Sequence, residues 1–124
     1  MYNQEAMRNL NKRPVSLSIG WDKFVLSHCK SAGVEGFGHG VVHNLQGMKD
    51  DASEMGVPLT ALHVVNALMG TLDLMIEKRP KNEALLALNL CPQLLVHIIE
   101  NPIILRETAD FFIEMKNDML LKLR

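Results

Sequence analysis

The sequence predicts an all-α protein, a compact antiparallel helical bundle of about five helices with no sheet. Three observations predict it. From Leu59 to Arg124 apolar residues recur every three or four positions, only Pro80, Pro92 and Pro102 cut that rhythm, and the connections between periodic stretches are short. Short connections favour antiparallel neighbours in a bundle. A chain of 124 residues that is 48% hydrophobic can bury one core. We therefore expect a flexible N-terminal arm over residues 1–14 and a single helical-bundle domain over residues 15–124.

Residues 1–14 are polar and rich in Asn, and Ala6, Met7 and Leu10 offer only a short amphipathic turn before Pro14. Ser16 or Ser18 can accept from the free N–H groups at the start of the first helix, which places Leu17, Trp21, Phe24, Val25 and His28 on one face. Gly33 is suited to a left-handed cap at its end. Gly33, Gly36, Gly38 and Gly40 together read as a loop, because glycine lifts side-chain restraint from the backbone. The second helix carries Val41, Leu45, Met48, Ala52 and Met55, and Gly56 closes it.

Pro58 suits the first turn of a third helix, with Leu62, Val65, Met69, Leu72 and Ile76 in one stripe and Lys78 and Arg79 at the negative end of its dipole. Asn82 can cap a fourth helix, apolar on nearly every side as far as Ile99. Pro92 should bend or split it, because proline lacks the backbone donor. A helix apolar all round is either central or shared with another chain. Asn101 and Pro102 form a strong start signal for the fifth helix, which turns Leu105, Ala109, Phe112, Met115, Met119 and Leu123 inward.

A net charge of -1 with 22% charged residues lacks the basic footprint that phosphate neutralisation requires, so nucleic acid is not an expected partner. The polar start carries no apolar leader, which predicts a cytoplasmic location. The most apolar stretch, 84–99, is too short to cross a bilayer and contains Asn89, Pro92, Gln93 and His97, so no membrane contact is expected either. Cys29 and Cys91 belong to no C-x-x-C pair and read as reduced, buried thiols. Met48, Met55, Met69, Met75, Met115 and Met119 lie on or beside apolar stripes and read as core.

Spacing argues for no Ser-His-Asp, Cys-His or paired-carboxylate grouping, and we expect neither enzymatic activity nor a cofactor. The glycines around Phe37 do not match Gly-x-Gly-x-x-Gly. His63, beside Asn66, Gly70 and Asp73, reads as a polar contact at a helix interface. His39 and His43 have the four-residue spacing of a helical metal pair, with a third ligand to come from His28, Cys29 or His63. The string His43-Asn44-Leu45-Gln46-Gly47 resembles part of the histidine phosphotransfer motif His-x-Leu-Lys-Gly, with Gln46 where that family has lysine. The resemblance implies His43 as a phosphoacceptor, approached over a glycine one turn away.

These signals predict a small non-enzymatic protein-interaction module, an adaptor, chaperone-like or regulatory subunit, that forms a homodimer. Its expected partner-binding surface is Leu85, Leu88, Leu95, Val96, Ile98 and Ile99, more apolar positions than one face of a surface helix can hide. The alternatives are a phosphotransfer-like signalling bundle using His43 and a metal-binding bundle using His39 and His43.

Overall fold

The computed structural model describes residues 4–78 and 81–122, so the expected end of the third helix at Arg79, the break at Pro80 and the inward position of Leu123 lie outside the described residues. Six helices form where about five were expected: α1 (Gln4–Asn11), α2 (Trp21–Ser31), α3 (Glu35–Met55), α4 (Ala61–Lys78), α5 (Lys81–Ile98) and α6 (Pro102–Lys122). No strand occurs among the described residues. Two isolated bridges, Pro14 to Thr60 and Leu17 to Ile99, are the sole sheet-like pairings there. One buried cluster draws side chains from all six helices.

The additional helix is α1, in the stretch expected to be an arm. Leu10 is buried, and α1 packs against α4 and α6. An isolated helix of eight residues is marginal in water, so these contacts hold it rather than its own propensity. Arg13, just beyond it, makes a bidentate ion pair with Glu107 of α6, both N–O distances being 2.9 Å.

The chain then runs extended from Arg13 to Ser18, between the start of α4 and the end of α5. Val15 N–H donates to the Leu59 carbonyl and Ala61 N–H to that of Arg13, while Ser18 N–H donates to Ile98 and Glu100 N–H to Ser16. Leu17 therefore lies outside the first long helix. Neither Ser16 nor Ser18 caps α2 through its side chain. The cap position is Gly20, at φ 77°, a left-handed backbone that glycine adopts without strain.

The glycine-rich segment is not a loop. After the left-handed turn at Gly33, α3 starts at Glu35 and takes in Gly36, Gly38 and Gly40. Two of these glycines face neighbouring helices. A Cβ on Gly38 would lie 2.7 Å from the Cβ of Cys29 in α2, and one on Gly40 would lie 2.6 Å from Cγ2 of Thr71 in α4. The absent side chains let α3 approach both helices closely. Phe37, Val41, Leu45 and Ala52 are buried on α3, whereas Met55 is exposed at its end, where Gly56 turns the chain.

α4 is buried more widely than its single stripe foretold, through Ala61, Val64, Val65, Ala67, Leu68, Met69, Thr71 and Leu72. It touches α1, α3, α5 and α6, and so shares the central position expected of α5 alone. Pro58 precedes α4. Thr60 and His63 hold its start, with Thr60 N–H donating to His63 Nδ1 at 2.9 Å. α5 runs unbroken through Pro92, packed against α2, α4 and α6. Asn101 caps α6, its Oδ1 accepting from the N–H groups of Ile103 at 2.9 Å and Ile104 at 3.2 Å. None of the helices described is long and apolar enough to cross a membrane.

Candidate functional site

The inner and outer faces of α5 separate cleanly. Ala84, Ala87, Leu88, Cys91, Leu94, Leu95 and Ile98 point into the core at spacings of three and four. Leu85, Leu86, Asn89, Gln93 and Val96 lie outside, with Leu86 51% and Val96 58% exposed. No Asp, Glu, Lys or Arg occurs between Ala84 and Ile99, so this outer face is uncharged for about 16 Å of helix.

The expected partner surface therefore divides. Leu88, Leu95, Ile98 and Ile99 are at most 2% exposed and belong to the monomer's own core; Leu85 and Val96 remain at the surface. A helix that packs against three neighbours uses most of its apolar circumference internally. Leu86 joins the outer face although the sequence did not single it out.

Beside this face, α2 and α5 bring three rings together. Phe24 and His97 stack with centroids 4.7 Å apart and planes 8° from parallel, and His28 meets His97 at 4.6 Å with a tilt of 47°. His28 Nδ1 lies 3.0 Å from the carbonyl of Phe24. No sequence pattern signals this pairing, because residues 28 and 97 meet only when α2 docks on α5. A groove of about 360 Å³ continues along the same seam, lined by Ser27, His28, Ser31, Ala32, Leu90 and Gln93.

His39 and His43 both lie within α3, because the helix takes in the glycine segment expected to be a loop. Helical register places them on one exposed face. Nε2 of His39 is 3.6 Å from Oε1 of Glu35. The suggested third ligands are elsewhere: His28 contacts His97, Cys29 is buried against the Gly38 side of α3, and His63 accepts from Thr60. No group of three or more metal-ligating side chains assembles among the described residues.

His43 lies inside α3 rather than near its start, and a Cβ added at Gly47, one turn on, would meet nothing within 4 Å. The neighbouring Asn44 turns inward instead, its Nδ2 donating to Thr71 Oγ1 at 2.9 Å, and Thr71 in turn donates to the Ala67 carbonyl. Of the expected polar contacts along α4, His63 is engaged at the helix start whereas Asn66 is exposed.

Both cysteines are buried and neither forms a disulfide, and the Cys91 thiol donates to the Ala87 carbonyl at 3.2 Å. Burial pushes the Cys29 thiol up to about 11 and the Cys91 thiol further in the same direction, the latter also through the proximity of Cys29. Such thiols stay protonated and poorly nucleophilic at neutral pH. A cleft of about 560 Å³ opens between α1 and α6 among Lys12, Arg13, Glu107, Asp110 and Glu114. Its charges are of both signs, and Arg13 and Glu107 satisfy each other. Compared with known proteins, the chain matches no family model, no curated protein and no solved structure.

Proposed function

We propose that this chain is a small non-enzymatic interaction module, an adaptor, chaperone-like or regulatory subunit, that pairs with a second copy of itself through the outer face of α5. The observation that carries the reading is the uncharged exposed face of Leu85, Leu86, Asn89, Gln93 and Val96 on a helix whose inner face is already fully used. Exposed apolar side chains on one face, with no charge between them, favour contact with another such surface. A two-fold axis there would oppose identical patches. The short connections suit an antiparallel bundle, and a reducing cytoplasm suits two buried thiols.

Light scattering tests the reading. The wild type should run as a dimer, and Leu86→Glu and Val96→Glu should each run as a folded monomer, because a charge placed at the axis is repeated across it. A wild type that stays monomeric at high concentration would refute the dimer.

A second reading rests on His43, exposed inside α3 one turn before the open surface at Gly47. It makes His43 a phosphoacceptor, with Gln46 lacking the charge that a lysine there would supply. Under the interaction reading, a phosphorylated response regulator should leave the protein unlabelled. Labelling that His43→Gln abolishes would reverse the order of the two. The metal alternative keeps the exposed pair His39 and His43, and a Zn²⁺ titration in which His39→Gln abolishes binding would favour it.

A further inference from the structure

We propose that His28 and His97 form an interhelical binding site for a divalent transition-metal ion such as Zn²⁺. The two imidazoles come from different helices, are both half-buried, and meet with centroids 4.6 Å apart. Each ring is held by a second contact. The partner of His28 Nδ1 is a backbone carbonyl, which can only accept, so in the neutral ring the proton sits on Nδ1 and the lone pair on Nε2. That is the outer-shell arrangement that orients metal-ligating histidines. On the other side, the nearly parallel Phe24 ring fixes the plane of His97.

The surroundings suit a partly hydrated ion. Ser27, Ser31 and Gln93 line the groove beside His28 and offer oxygen donors and space for water. Because no third metal-ligating side chain joins the pair among the described residues, two imidazole nitrogens would hold the ion and water would complete its shell. Imidazole selects zinc, copper or nickel over magnesium or calcium. By contrast, His39 on α3 is exposed and lies 3.6 Å from an equally exposed Glu35, so water competes for its nitrogens and no neighbouring helix holds its ring. A bound ion would tie α2 to α5 beside Val96. The site does not depend on the dimer.

Calorimetric titration of the full chain with Zn²⁺, together with thermal unfolding, tests this. One ion should bind per chain and raise the unfolding temperature, since a ligand that binds only the folded state stabilises it. His28→Gln and His97→Gln should each weaken binding more than about tenfold, the lower bound seen for losing an outer-shell partner. The double variant His39→Gln, His43→Gln should bind as the wild type does. Imidazole ¹⁵N spectra of the wild type give a readout that no unfolded variant can confuse: Zn²⁺ should shift His28 and His97 and leave His39, His43 and His63 in place. Absence of saturable binding at millimolar Zn²⁺, or shifts confined to His39 and His43, would overturn the proposal.

Discussion

Gly38, Gly40 and Gly47 share one helix and one residue type, yet the same substitution should act on them with opposite sign. Replacing a helical glycine by alanine ordinarily stabilises by up to about 1 kcal/mol. At Gly47 nothing lies within 4 Å of the new Cβ, so Gly47→Ala should raise the chemical-denaturation midpoint. At Gly38 the new Cβ meets the rigid Cβ of Cys29. At Gly40 it meets the methyl of Thr71, whose hydroxyl is pinned by Ala67 and Asn44. Overpacking of this kind costs about 1–3 kcal/mol, which exceeds the propensity gain, so both substitutions should lower the midpoint. The thiols give a pH prediction at the same scale. Native Cys29 remains neutral above the ordinary value of 9.0, where the unfolded thiol ionises, so stability is full below pH 9 and falls as pH rises through about 11. Cys29 alone should remove roughly 2 kcal/mol by about pH 11. Because burial raises Cys91 further still, Cys29→Ala should roughly halve the fall and leave the Cys91 share when denaturation is followed from pH 8 to 11.

Among the elements, α1 makes the sharpest test because its helix is too short to stand alone. Leu10 is its buried anchor, at 3% exposure, and Arg13 adds the ion pair to Glu107. Both charged side chains are substantially exposed, so Arg13→Ala should cost no more than about 1 kcal/mol despite the bidentate geometry. Leu10→Ala should cost about 2–5 kcal/mol and release α1. Hydrogen exchange would show this as loss of protection at Arg8 to Asn11 in the leucine variant alone. Fast exchange at those amides in the wild type would mean that the expected arm describes the chain better than a docked helix. Pro92 shows the same rule from the other side. Its missing donor does not divide α5, since contacts with α2, α4 and α6 hold the helix on both sides of it.

For the whole molecule, the neighbouring residues Leu95 and Val96 separate stability from association. Leu95 is fully buried whereas Val96 is 58% exposed, although both are apolar and adjacent in sequence. Leu95→Ala should destabilise by about 2–5 kcal/mol. Val96→Ala should stay within about 0.5 kcal/mol of the wild type in the monomer. Denaturation at two protein concentrations checks both, because a dimer adds a concentration dependence that Val96→Ala should weaken.

The sequence by itself determined the helical class, the left-handed glycine turn at Gly33, the helix end at Gly56, the Asn101 cap of α6 and the inward positions Phe112, Met115 and Met119. These are local matters, decided by side chains within a turn or two of one another. Only the tertiary structure decided which apolar residues of α5 remain exposed, because burial of Leu88, Leu95, Ile98 and Ile99 depends on helices far away in the chain. The glycines of α3 read as a loop for the same reason: their low propensity is visible in sequence, whereas the close approach of Cys29 and Thr71 that gives them a place in a helix is not. The pairing of His28 with His97 is likewise a product of docking. Two residues separated by most of the chain acquire a shared chemistry only when packing brings their helices together.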